Sequence, residues 1–310
     1  MTGSKRAPQW NPGSSSRPTS PLSSADQLRG NPGLKVPGQA TEEAPLTDIR
    51  ITIQNVTKRY SSARGTKLIL DDISMTVPSR RIVSLVGPTG CGKTTLLNII
   101  AGFETQTSGV VTMDGAPIDG PSPARGYVSQ EANLFPWLTV WDNVRFAARF
   151  GKGIRQDWET TKELDEKVAA YLARVGLEAA RSQYPHQISG GMKARAALGR
   201  VLLMNSSVLL LDEPFAALDA LTRSEMHRLL LHMFRDGDEK TGLLITHDVE
   251  EALLLSEIVY VMSASPAKII ESINVPFGWP REYDYMVQAP ELAHLKFQVL
   301  EALRPFVDKE

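Results

Sequence analysis

An apolar run, Ile82-Val83-Ser84-Leu85-Val86, leads directly into Gly87-Pro88-Thr89-Gly90-Cys91-Gly92-Lys93-Thr94, and residues 94–101 then carry apolar positions at helical spacing before Gly102. Buried strand, glycine-rich loop and helix in that order restrict the chain to few folds. The loop matches G-x-x-x-x-G-K-S/T in full, a pattern whose glycines let successive backbone N–H groups face one anion while the following helix adds its positive end. Lys93 brings a mobile positive charge to the β- and γ-phosphates of a nucleotide, and the Thr94 hydroxyl is placed to ligate Mg²⁺. The expectation is a nucleoside triphosphate site.

Further apolar runs at 208–211, 243–246 and 258–262 alternate with helical patterns, notably at 218–234. This recurrence predicts an α/β fold, a parallel sheet flanked by helices. The first of these runs ends in Asp212-Glu213. At the end of a strand in a phosphate-loop enzyme, Asp212 is expected to hold Mg²⁺ through water and Glu213 to polarise a water for in-line attack on the γ-phosphate. Upstream, residues 51–56 alternate as a half-buried strand. Residues 139–203 read as almost entirely helical, from 141 to 150 and from 164 to 175, and hence as a helical insertion in the α/β core.

Composition narrows the remaining classes. The 310 residues hold 34 Lys plus Arg against 35 Asp plus Glu, and a net charge of −1 advertises neither nucleic acid nor an anionic membrane. Cys91, the single cysteine, forms neither an intramolecular disulfide nor a metal site by itself. Its place inside the loop predicts a thiol that reagents reach unless nucleotide covers it. No apolar stretch approaches the roughly 18 residues of a membrane-spanning helix. Residues 1–47 are rich in Ser, Pro and Gly and are expected to remain disordered. Residues 48–275 are expected to form the nucleotide-binding domain, its helical part at about 131–203, and 276–310 a short C-terminal extension with an amphipathic stretch at 292–303.

Ahead of the Asp212-Glu213 strand, Ile188-Ser189-Gly190-Gly191-Met192 resembles the signature motif of ABC-type ATPases. Alone it also reads as a helix N-cap, with Ser189 capping a helix that runs through Arg200. The order of the other motifs decides between the two. Gln130 after Tyr127-Val128 resembles the glutamine loop, Ala217-Leu218-Asp219 the D-loop, Thr246-His247-Asp248 the switch histidine, and Tyr60 the aromatic on which adenine stacks. These elements in family order over residues 48–273 make the chain similar to ABC ATPases.

The resemblance implies a P-loop NTPase with a RecA-like parallel-sheet core, an antiparallel β subdomain and an inserted helical subdomain. It implies ATP hydrolysis in a head-to-tail homodimer, where Ser189, Gly190 and Gly191 of one copy face the phosphate loop of the other. Nucleotide contacts then run from Gly87 through Thr94 to Thr95, with Tyr60 at the base. Gln130 joins Thr94 and Asp212 at Mg²⁺, Asp219 belongs to the D-loop, Glu213 acts as base and His247 stabilises the γ-phosphate. Departures from the family pattern are Ile188 for the common leucine, Met192, Ala194 for a frequent glutamine, and Gly199.

A single motif set without spanning segments resembles the separate ATPase subunit of a transporter. This implies integral membrane permease subunits as partners, an extracytoplasmic solute-binding protein reached through them, and peripheral attachment at the cytoplasmic face of the membrane. Leu134-Phe135-Pro136-Trp137-Leu138-Thr139-Val140-Trp141-Asp142-Asn143-Val144, Met192 and residues 248–255 together resemble the nitrate, sulfonate and taurine importer ATPases. In importers this neighbourhood receives a coupling helix, so Phe135 and Trp137 read either as exposed anchors or as packing within the helical part. The competing reading is a non-transport regulatory ATPase or nucleotide-gated interaction protein. Intact Gln130, Glu213 and His247 and the aromatic stretch favour transport. The transported solute never touches such a subunit, so these residues do not name it.

Overall fold

Apolar on both faces, the runs at 82–86, 208–212, 241–245 and 258–262 have no side to turn toward water, and each becomes a strand buried at all five positions. The computed structural model describes residues 48–63, 65–147, 161–204, 206–235, 240–278 and 281–307. The tail at 1–47 and the end of the helix expected through 150 lie outside the described residues.

The chain begins with β1 (Ile49–Ser62), β2 (Gly65–Pro78), β3 (Ile82–Val86), α1 (Lys93–Ala101), β4 (Ser108–Met113), β5 (Ala116–Pro117) and β6 (Arg125–Val128). Three helices follow: α2 (Val140–Ala147), α3 (Thr161–Arg174) and α4 (Gly190–Leu202). The sheet then resumes with β7 (Val208–Asp212), α5 (Ala220–Arg235), β8 (Thr241–Ile245), α6 (Val249–Leu255), β9 (Ile258–Met262) and β10 (Ile269–Asn274). Two last helices are α7 (Tyr283–Gln288) and α8 (Pro290–Val307).

Six strands make one sheet in the order β10-β9-β3-β8-β7-β6, parallel from β9 to β6 with β10 antiparallel at its edge. Four others make a second, antiparallel sheet, β2-β1-β4-β5. Successive strand residues face opposite sides, and the packing follows that alternation. Val83, Leu85, Leu210 and Leu243 join α1 and the antiparallel sheet in one core. Ile82, Val86, Leu209 and Leu244 join residues of α2 to α6 and α8 in another.

Sequence patterning located the buried strands closely but missed β2, β4, β5 and β10, whose exposed faces break the apolar run. The helix expected from residue 218 begins instead at Ala220, because the Asp219 side chain accepts the Thr222 amide at 3.0 Å and ends the preceding turn. Ser189 does cap α4, accepting the Met192 amide at 3.2 Å.

One departure from the family pattern acquires a structural reason. Tyr171 of α3 packs against α4, where its hydroxyl donates to Arg195 O at 2.6 Å. A Cβ on Gly199 would stand 2.0 Å from Tyr171 Cε1, so the two helices approach this closely only over a bare backbone. Gly199→Ala is expected to destabilise the chain by about 1–3 kcal/mol through overpacking, despite alanine's better helix propensity. A lowered urea midpoint with unchanged m-value would show it; an unchanged or raised midpoint would refute it.

Candidate functional site

Parallel strands all end on the same side, and the crevice outside their carboxyl ends collects the loops that leave them. β3 opens into the phosphate loop, β6 precedes Gln130, β7 runs into Glu213, and β8 runs into Thr246 and His247. Since β3, β8, β7 and β6 are consecutive neighbours, residues far apart in the chain share one edge.

Within the loop, Gly92 has φ +120° and a Cβ there would stand 2.9 Å from Leu70 Cδ2 and 3.0 Å from Ile69 Cγ2. Both backbone conformation and the approach of β2 exclude a side chain. α1 starts immediately afterwards with no side-chain cap and no acidic residue in its first turn, which leaves its leading N–H groups to an anion. Lys93 is buried, and its Nζ donates to Gly87 O and Pro88 O at 2.8 Å each. Thr89, Gly90 and Thr94 are exposed, while Thr95 is half-buried.

Asp212 meets this loop from β7. Thr94 Oγ1 donates to its Oδ1 at 3.3 Å, and the Tyr127 hydroxyl lies 3.3 Å from its Oδ2 and 3.1 Å from Asn98 Oδ1. Burial pushes the Asp212 carboxyl above the usual range; the Thr94 and Tyr127 hydroxyls pull it back, and neighbouring Glu213 opposes them. Tyr127 is likewise pushed up by burial and by Asp212, so its proton stays available for donation. Nothing in the sequence marked Tyr127 beyond its place in a strand. The Thr94 hydroxyl and the Asp212 carboxylate are hard oxygen donors of the kind Mg²⁺ takes. No group of three His, Cys, Asp or Glu side chains able to hold a metal occurs among the described residues.

Glu213 is the point of convergence. Gln130 Nε2 donates to its Oε2 at 3.4 Å, and His247 Nδ1 lies 3.1 Å from the same oxygen. Its side chain is 19% exposed against 61% for the histidine, so the carboxylate is largely covered while the imidazole opens to solvent. The Glu213 backbone has φ +47°, an uncommon conformation for a residue with a side chain and one that clusters at functional sites.

Tyr60 stands at the end of β1 with its hydroxyl on Glu104 Oε2 and Lys58 Nζ 4.9 Å from its ring centroid. Lys58 also pairs with Glu104 at 3.3 Å. The ring is 41% exposed, which leaves it surface on which a base can stack. Burial and Glu104 raise the Tyr60 hydroxyl above its ordinary value.

Ser189 is engaged within its own helix, accepting from Met192 N at 3.2 Å and Lys193 N at 3.0 Å, and no hydrogen bond joins Ser189, Gly190 or Gly191 to the phosphate loop among the described residues. Their neighbour is the D-loop: a Cβ on Gly191 would lie 3.3 Å from Leu218 Cδ2 and one on Gly190 4.0 Å from Ala217 Cβ. Asp219, beside them, is held below the usual carboxylate range by the Thr222 hydrogen bonds.

Phe135 and Trp137 differ in exposure. Phe135 is half-buried, with Phe146 4.9 Å away edge-on and Arg200 5.6 Å over its ring, whereas Trp137 is 69% exposed. The segment presenting Trp137 is pinned by buried Asn143, which accepts from Phe135 N at 2.8 Å and donates to Phe135 O, Leu138 O and Thr139 O at 3.0–3.1 Å.

Fold and site together define a phosphate-loop nucleoside triphosphatase, and comparison with known proteins agrees. A family model described as ABC transporter matches residues 70–216. The chain is 39% identical over 249 residues to the nitrate import ATP-binding protein NrtD of Synechococcus elongatus, covering 80% of this chain and 89% of that one. It is 44% identical over 226 residues to the taurine import ATP-binding protein TauB of Pelagibacter ubique, covering 73% and 83%. Among solved structures, the ATP-binding cassette MJ0796, a dimer in a post-hydrolysis state bound to ADP and Pi, matches with a TM-score of 0.65 at 26% identity, covering 73% of this chain and 98% of that one. The chain belongs to the ATP-binding subunits of ABC transporters, in the nitrate, sulfonate and taurine importer family. It is an ATPase coupled to transport on the RecA-like fold its motifs implied. No helix among the described residues is long and apolar enough to cross a membrane.

The expectation of a reachable thiol fails. Cys91 is 1% exposed, its side chain turned into the core beneath the loop, and burial raises the thiol above its ordinary value despite nearby Lys93. A buried, protonated thiol is a poor nucleophile. Labelling with a small thiol reagent is expected to be slow in the folded chain with or without MgATP and fast after denaturation; rapid labelling of the folded chain would place Cys91 elsewhere.

Proposed function

We propose that this chain powers import of a small oxyanion or sulfonate solute of the nitrate and taurine kind, as a homodimer attached to membrane permease subunits at the cytoplasmic face. The observation that carries its chemistry is the meeting of Gln130, Glu213 and His247 at one carboxylate oxygen beside the phosphate loop. The import functions of NrtD and TauB support the solute class, and the dimeric MJ0796 cassette supports the pairing.

In this reading the loop amides, the α1 N-terminus and Lys93 hold the triphosphate, while Tyr60 receives the adenine ring. Thr94, Asp212 and Gln130 would hold Mg²⁺, which would supply positive charge to offset that of the phosphates. Glu213 accepts a proton as water oxygen bonds to the γ-phosphorus and the bond to the bridging oxygen breaks, releasing ADP and phosphate. His247 donates toward the γ-phosphoryl oxygens, where negative charge is redistributed. Ser189 with Gly190 and Gly191 meets the nucleotide of the second copy, and Asp219 lies at the same face. Exposed Trp137, held out by the Asn143-pinned segment, is the anchor for the permease.

Glu213→Gln is expected to lower kcat by about 10²–10⁴-fold with little change in nucleotide affinity, measured by steady-state hydrolysis and nucleotide titration. Near wild-type turnover would remove Glu213 from the role of base. Trp137→Ala is expected to weaken permease association by about 2 kcal/mol or more, roughly thirtyfold, while ATP hydrolysis by the isolated subunit is unchanged. Undiminished co-purification with the membrane subunits would assign the contact to other residues.

A further inference from the structure

Behind the Glu213–His247 pair, α5 and α6 are tied together at two levels. At the first, Arg223 Nη2 donates to the D-loop carbonyl Leu218 O at 3.1 Å, and Nη1 reaches Asp248 Oδ2 at 3.5 Å. Asp248 is itself anchored: its Oδ1 caps α6 by accepting from Glu250 N and Glu251 N at 2.9 and 3.2 Å, and its amide donates to Thr246 Oγ1 at 3.0 Å. His247 is therefore clasped between two fixed residues. One turn further along both helices, buried His227 and Glu251 meet at 2.9 Å. Glu213, Arg223, Thr246, His247, Asp248 and Glu251 border a cavity of only about 10 Å³, room for about one water.

We propose that Arg223 is a positioning residue for hydrolysis: it carries the placement of Ala217-Leu218-Asp219 across to Asp248 and thereby sets His247 against Glu213. Leu218 also packs under Gly191, so the same guanidinium links the signature side of the chain to its own catalytic carboxylate. An arginine suits this place because its planar fork reaches a carbonyl and a carboxylate at once, which a lysine ammonium does not do with the same geometry. Acting through His247, Arg223 touches neither nucleotide nor attacking water, and its loss affects kcat rather than nucleotide capture. The inference rests on the roles proposed above for Glu213 and His247.

The test is a double-mutant cycle on the full-length chain, with kcat and KM measured for Arg223→Ala, Asp248→Asn and the pair, and Glu213→Gln assayed alongside. Asparagine keeps the capping oxygen of Asp248 but removes the charge that Arg223 meets. Each single variant is expected to lower kcat about tenfold with KM within about twofold, and the double to be within about threefold of the worse single. Losses that multiply to about a hundredfold, an unchanged kcat in Arg223→Ala, or a loss appearing in KM alone would overturn the proposal. If the thermal melt of Arg223→Ala shows an unfolded chain, Arg223→Lys takes its place in the cycle, with the same non-additivity expected and the same multiplied losses counting against it. Wild-type turnover by Glu213→Gln would instead refute the assignment of the base, a failure the cycle reports separately because it measures the Arg223–Asp248 coupling.

Discussion

Everything in this chain depends on burying four adjacent parallel strands, β9, β3, β8 and β7, on both faces. A strand such as Leu209-Leu210-Leu211 sends alternate side chains into two separate cores, and each face needs its own cover. α1 and the antiparallel sheet supply one cover; helices α2 to α6 with α8 supply the other. Covering both faces leaves the strand ends as the place where polar groups can gather, and the carboxyl ends are where loops with free N–H groups and helix N-termini meet. The site therefore occupies an edge at which the architecture does not demand apolar residues.

At that edge the electrostatics are set by crowding. Asp212 and Glu213 are successive carboxylates, and burial of the first works against its ionisation. Two hydroxyls and the Lys93 ammonium offset this for Asp212, while Glu213 turns away through an unusual backbone conformation to meet Gln130 and His247. Adjacent acids thus acquire different surroundings, one among hydroxyls at the loop and one facing an amide and an imidazole. That separation lets neighbouring carboxylates serve a cation and a water respectively.

Local sequence revealed a good part of this. The phosphate loop, the two acids and the Ser189 cap depend on contiguous residues, whose spacing dictates which backbone groups face together. Fully buried strands were legible because their apolar runs are unbroken, whereas β2 and β4 were not, since their half-exposed faces mix polar residues into the pattern. Tyr127, Glu104 and Arg223 gave no signal because each owes its place to a partner distant in the chain. Gly199 stood out as an oddity in the sequence, and only the ring of Tyr171 laid against it supplies the reason.

By itself, then, the sequence determined the chemistry that local geometry can encode: an anion-binding loop at a helix N-terminus, a strand ending in two carboxylates, a capped helix opening with glycines, and an ordered set of motifs resembling ABC ATPases. Tertiary structure decided which of these meet. It brought Gln130 and His247 to one oxygen of Glu213, placed the signature against the D-loop, buried Cys91, and left Trp137 outside while Phe135 packed inward. The reason is physical: spacing along a chain governs hydrogen bonds within a turn, but strand order and the need to cover both faces of a sheet govern which distant side chains share an edge.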